Sequence, residues 1–321
     1  MSAVRLRARV KPEQGLYLGT LNITRDTSKA DRYACLGAAM CGCYRRVTLG
    51  KAKLVGTPKE FLDWLEATLP GVPETIEDFL CERRDEIVAH IRNGLLAHKV
   101  HKQALSLEQL TALLDSYNWE KFDLIVGILD DDFYDAYIKA ATDAMKAVGV
   151  VADDTMLDQL DERARDYAKQ QSASLVGKRV LDSGEVIDNP NIAYSITDTT
   201  RDNLRGIITR GLEEGMSVDQ LADAIEESTA FSEQRAETIA RTELADSHTQ
   251  GNLAGWEEST VVAGKESILG SEHGPDDVDE CDDNANAGVI ALDDLFPSGH
   301  TGPPYHPNCI CALSPVLMDD L

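Results

Sequence analysis

Aromatic residues are scarce in this chain, 6 % of 321, so its core must be built chiefly from aliphatic side chains. The apolar share of 43 % is still that of an ordinary globular protein. No stretch approaches the ~20 consecutive apolar residues that a membrane span needs, so no spanning helix is expected. Arg5, Arg7 and Arg9 are not followed by the apolar run of roughly 7–15 residues that a secretory signal carries, and the expectation is a protein made in a cytoplasm. Seven cysteines are too few for a disulfide scaffold at this length. Cys35, Cys41, Cys43 and Cys81 sit among apolar neighbours and read as small buried hydrophobes, with Cys41-Gly-Cys43 close enough in sequence to suggest a metal. Basic residues are also in deficit, 31 against 56 acidic, for a net charge of −25. That balance argues against wrapping nucleic acid, which depends on cationic side chains displacing counterions.

The deficit is uneven. Up to Lys59 there are 12 basic residues and only 3 acidic ones, so the rest of the chain carries more than the whole negative excess. Residues 1–57 therefore read as a basic arm or small irregular subdomain, either a solvated segment or one that contacts DNA. Six glycines punctuate it, and Tyr17–Ile23 has the composition of a strand.

From Pro58 the pattern turns helical. Thr57-Pro58 is a helix start, Phe61, Leu62, Leu65 and Leu69 share a face, and Pro70 stops it. Ile76, Phe79, Leu80, Ile87, Ile91 and Leu95 predict a second helix over about 74–96. Ser106-Leu-Glu-Gln109 is a capping box opening a third, and a fourth is expected over about 119–148, bent near Asp130-Asp131-Asp132 and closed by Gly149. Residues 58–149 make one helical region. A second, 150–317, has helices within 154–258 (about 154–171, 198–214, a capping box at Ser217–Gln220, and a long helix from Ser232 through Trp256). Gly177, Gly184 and Asn189-Pro190 break the run between the first two of these. After Trp256 short apolar pairs, Val261-Val262 and Val289-Ile290, alternate with Gly, Pro, Asp and Asn, giving a loop-and-strand cap module over 259–317. The fold class is mainly α with a small C-terminal loop/β module (α+β), comprising two helical regions and an irregular basic N-terminal segment. The acidic stretch 276–283 reads as a solvated loop.

Two segments carry chemistry. In Arg235-Ala-Glu-Thr-Ile-Ala-Arg-Thr-Glu243, Arg241 can pair with Glu237 one turn away. Arg241 and Glu243 lie on different faces, so a polar partner is expected beside at least one of them. The reading is an ion pair that fixes the C-terminal module. In that module His306-x-x-Cys309-x-Cys311 places three metal-type donors within six residues, and Pro303, Pro304 and Pro307 stiffen the approach. Cys281 would complete a Cys3His set of the kind that holds structural zinc, with His273 and His300 as spare donors. A disulfide from Cys281 to Cys309 or Cys311 and simple buried thiols remain the alternatives. No nucleophile elbow, HExxH or phosphate-cradling glycine loop is present, and no pair of carboxylates is singled out for acid–base work.

The order of these blocks resembles a known family. Ala240-Arg-Thr-Glu243 is followed by Gly255-Trp256, Asp279-Glu-Cys281, Gly288–Phe296 and Pro303-Pro-Tyr-His-Pro-Asn-Cys-Ile-Cys311. This looks like the C-terminal domain of phage head-morphogenesis proteins of the MuF type, whose signature runs ARTE, then Cys, then PPxHPNCRC, and the likeness spans about residues 150–317. Ile310 replaces the usual Arg, Asn284 stands where a second Cys of a CxxC is common, and the spacer 264–280 lacks the frequent Trp. Arg241, Glu243, Pro304 and Asn308 fall on motif positions. The resemblance implies a minor structural protein of a tailed-phage virion, located in the head interior or at the portal vertex. Its implied partners are the portal protein and other head proteins, with packaged DNA a candidate partner for residues 1–57. It implies a role in head assembly, DNA packaging or ejection. Because related domains occur fused to toxins, the alternative is a phage enzyme or toxin-like effector using the ARTE and HPNC segments.

Overall fold

Thr57 opens the first helix with a reciprocal cap that uses only local chemistry. Its hydroxyl accepts from the Glu60 amide at 3.2 Å while the Glu60 carboxylate accepts from the Thr57 amide at 3.4 Å. The computed structural model describes residues 56–99, 106–192, 195–270 and 280–318. The expected strand Tyr17–Ile23, residues Cys35, Cys41 and Cys43, His273 and nearly all of the basic arm lie outside these described residues. Cys81 lies within them, as a free and half-buried thiol.

The elements run α1 (Pro58–Thr68), α2 (Val72–Lys99), α3 (Leu107–Asp115), α4 (Asp130–Ala147), α5 (Asp154–Leu175), β1 (Lys178–Val180), β2 (Val186–Asp188), α6 (Ile196–Glu213), α7 (Val218–Glu226), α8 (Glu233–Ser259), β3 (Val262–Ile268), α9 (Glu280–Asn286), β4 (Ile290–Ala291) and β5 (Ala312–Leu317). The mainly helical class with a small β module is the one expected. Both capping boxes form, at Ser106/Gln109 and Ser217/Gln220. The helix expected over 119–148 is two pieces instead. A 3-10 turn covers Trp119–Ile125, Gly127 takes φ +88°, and its amide donates to Asp130 Oδ1 at 3.2 Å at the start of α4. The break after α5 is an antiparallel hairpin, β1 against β2, with Val180 opposite Val186.

The described residues form two compact units, each assembled from separated stretches of chain. One takes residues up to Leu65, Ala136–Glu162 and Ala245–Leu321; the other takes Glu66–Asp135 and Arg163–Leu244. α8 thus contributes Glu233–Leu244 to one and Ala245–Ser259 to the other. In the second unit α2 buries Ile76, Leu80, Ile87 and Ile91, beside Leu114, Phe122 and Ile125, each worth ~1.5–3 kcal/mol of transfer free energy. In the first unit the core joins Ala144 of α4 and Val148 just after it, Leu253 and Trp256 of α8, Val262 of β3 and Leu313 of β5 to Cys281, Phe296, Tyr305, Cys309 and Cys311. Gly251 and Gly255 let α8 lie against the α4 backbone at Tyr137 and Ala141, where a β-carbon would collide with main-chain oxygens. The sheet of this unit has order β4-β3-β5, antiparallel throughout.

Candidate functional site

The C-terminal site is assembled by three local devices. β5 pairs with β3, Ile268 opposite Ala312, which anchors the chain directly after Cys311. α9 presents Cys281 from its second residue, fully buried. Between them His306-Pro-Asn-Cys309 makes a tight turn, closed by the Cys309 amide donating to the His306 carbonyl at 3.2 Å. Proline at its second position and Asn308 at its third, with φ +57°, are the residues that a type II turn favours. Asparagine tolerates this left-handed backbone better than most residues. The turn brings His306 and Cys309 side by side.

The donors converge. One ligand atom from each of Cys281, His306 and Cys309 lies within 4.8 Å of the others, and the Cys281 and Cys309 sulfurs are 3.8 Å apart. A tetrahedral zinc with Zn–S bonds of about 2.3 Å would place two thiolates at about this same separation. The Pro307 carbonyl, which only accepts, stands 2.9 Å from His306 Nδ1. That assigns the ring proton to Nδ1 and turns Nε2 into the lone-pair donor, the arrangement usual for a metal-bound imidazole. Cys281, Cys309 and Cys311 are all free thiols and buried, whereas His306 is partly exposed. Cys311 stands outside the three-donor cluster. Its interaction with Cys309 holds the Cys309 thiol down and pushes the Cys311 thiol up. The donor set therefore fits a soft divalent cation, with Cys281, His306 and Cys309 in reach and Cys311 adjacent.

Asn284, which stands where a second Cys is common, has another task. Asn284 is fully buried. Its amide donates to Ser298 Oγ at 2.9 Å, and its carbonyl accepts from the Ser298 amide at 3.1 Å. It pins the turn that Gly299 closes onto the Phe296 carbonyl at 2.8 Å. His300, a spare donor by sequence, sits 2.9 Å from Ser298 Oγ through Nδ1 and does not join the thiols. The Pro303–Pro304 peptide is cis, and Thr249 of α8 bonds the Pro303 carbonyl. Lys265 was not singled out by sequence, since a lysine in a strand ordinarily faces water. Here it is buried on the central strand, donating to the Leu292 carbonyl at 2.8 Å with its ammonium 5.7 Å from the Phe296 ring centre, and burial lowers its pKa.

On α8 the expected pair forms loosely, Arg241 Nη1 lying 3.9 Å from Glu237 Oε1. The expected polar partner of Glu243 is Gln171 of α5, whose amide donates to the carboxylate. Arg241 and Glu243 belong to one compact unit and the thiol cluster to the other. Six residues earlier, Arg235 is the more firmly held cation. Its guanidinium donates to Thr200 Oγ1 at 2.8 Å, to Thr199 Oγ1 at 2.7 Å and to the Ala230 carbonyl. Burial lowers its pKa to about 10, so it stays charged at neutral pH. Sequence reading passed over it because nothing local distinguishes a helix-surface arginine from one that reaches across to a neighbouring helix.

A protein-family model described as Phage Mu protein F like protein matches residues 202–314. This is the C-terminal region, and the family is the MuF type indicated by the ARTE and HPNC segments; it points to a phage head protein in general terms. No curated protein and no solved structure matches the chain. Among the described residues no helix is long and apolar enough to cross a membrane.

Proposed function

Taking a C-terminal region of the Phage Mu protein F like family as the premise, we propose that this chain is a minor structural component of a tailed-phage head. In this reading it is located at the portal vertex or head interior, binds the portal and other head proteins, and acts in assembly, packaging or ejection. The observation that carries it is the family match over 202–314, in which the HPNC block forms a defined turn. The helices supply docking surfaces, and the β3–β5 module with its thiols serves as a stiff cap. The cap is held by one structural zinc on Cys281, His306 and Cys309, with Cys311 as the fourth donor. A zinc ion there would supply charge neutralisation for the thiolates and a cross-link between α9 and the 306–311 segment; Asn308 and the Pro307 carbonyl orient the donors. The basic residues up to Lys59 contact packaged DNA.

Mass spectrometry of purified virions or procapsids tests the main claim: the protein is expected in both, and its absence from both would sink the proposal. Elemental analysis of the purified chain should find about one zinc per molecule, falling in the Cys309→Ser variant. A metal-free protein with blocked thiols would indicate a disulfide instead. Deleting residues 1–57 should reduce DNA retention and flatten its salt dependence.

A further inference from the structure

Arg235 is held by neutral oxygens alone. To the three contacts above it adds a long one to the Ile196 carbonyl, 3.4 Å. Among the described residues no carboxylate pairs with it, in a chain where acidic residues outnumber basic ones 56 to 31. Arg235 is partly buried, and a charge drawn away from water is costly unless a counter-charge is provided; here the fold fixes the cation without providing one.

A pocket of about 170 Å³ opens on this group, lined by Thr199, Asn203, Thr229, Ala230 and Arg235. Asn203 Oδ1 is already committed, accepting from Ser228 Oγ at 2.8 Å. Its amide donors, like the Thr229 hydroxyl, have no partner among the described residues. The four Nη hydrogens of Arg235 are spent on its neutral oxygen partners, so we propose that this pocket is an oxyanion site, taking a carboxylate or a phosphate group on the Asn203 and Thr229 donors beside the Arg235 charge. A bound oxyanion supplies the missing counter-charge and accepts from the unspent donors, and such charge-assisted bonds are about twice as strong as neutral ones. A larger pocket of about 460 Å³ shares Asn203 and Thr229 and adds Ile207, Met216 and Ala224 to its wall, together with Arg210 and the carboxylates of Glu214 and Glu227. Whatever carries the oxyanion thus meets a mixed wall, apolar at Ile207, Met216 and Ala224 and acidic at Glu214 and Glu227. The inference is independent of the virion reading, because it rests on the second unit alone.

The test is calorimetric titration of the full chain with inorganic phosphate and, separately, with acetate, at constant ionic strength with chloride as the reference anion. Saturable binding of at least one is expected. Asn203→Ala and Thr229→Val should each weaken it about tenfold, Arg235→Gln should abolish it, and Arg241→Gln should leave it unchanged. Asn203 and Thr229 are exposed, so their variants keep the test open if Arg235→Gln does not fold. Binding of phosphate alone assigns a phosphoryl ligand, and binding of acetate alone a carboxylate. No saturable binding of either anion beyond chloride, or binding that Asn203→Ala and Thr229→Val leave untouched, overturns the proposal.

Discussion

His248 lies on α8 with its ring 4.5 Å from that of Trp64 and 5.2 Å from that of Phe61, centre to centre. Burial, with Lys139 nearby, drives its pKa down to about 3 against a weaker opposing pull from Asp143. An unfolded histidine titrates near 6.5. Between these values the unfolded chain binds a proton that the native chain refuses. Stability from this site is therefore complete above about pH 6.5 and declines on acidification, by about 1.4 kcal/mol per pH unit, until about pH 3. Urea midpoints at pH 7 and pH 5 should show this loss, and His248→Gln should be less pH-sensitive than the parent. Asn308 offers a second test at this scale. Asn308→Gly keeps the φ +57° backbone accessible, while Asn308→Val should cost ~1–3 kcal/mol and, on the proposed metal site, lower the zinc retained after dialysis. The candidate donors were legible because Cys and His are rare and clustered. The consequence of Asn308 was available in the Pro-Asn pair, as turn chemistry. Arg235, Asn284 and Lys265 were not legible, because their roles depend on which distant residue each one meets.

Elements whose determinants are local could be read from the sequence. Ser106 with Gln109, and Ser217 with Gln220, satisfy helix-end amides within four residues, and both caps formed where expected. The run from Trp119 to Val148 misled because its apolar spacing continues across Gly127, whose positive φ ends the first turn whatever its neighbours prefer. The β1–β2 hairpin was hidden because three-residue strands are too short for alternation to register. Two helical glycines make a paired test. Gly206 of α6 has open space where a β-carbon would go, so Gly206→Ala should stabilise the protein by ~0.5–1 kcal/mol. Gly255 of α8 faces the Ala141 main chain, so Gly255→Val should destabilise it by ~1–3 kcal/mol through overpacking. Thermal melts of the two variants should move in opposite directions. Equal shifts would mean that the α4–α8 approach is looser than described.

At the level of the whole molecule, local periodicity indicates how many helices there are but not which of them share a core. Residues 202–314 match the family model. Of these, the stretch to Leu244 belongs to one compact unit and the stretch from Ala245 to the other. Trp256 and Leu253 pack with Ala144 of α4 and with Val148 just after it, which the matched segment does not contain. A fragment of residues 202–314 expressed alone should therefore melt without a cooperative transition, whereas the full chain should unfold sharply. A cooperative fragment would show that α4 is dispensable to that core.

The close approach of α8 to α4 at Gly251 and Gly255 has a consequence for how such a sequence can change over time. A segment recognisable by its motifs can be inherited or exchanged as a block, but here it finishes its interior with side chains encoded more than 50 residues upstream of the matched region. Recombination at the family boundary would bring Gly255 against a foreign helix. Only partners offering a similarly small surface, as Ala140 and Ala141 do, would accept it. The upstream helices are in this sense co-inherited with the motif, although no motif marks them.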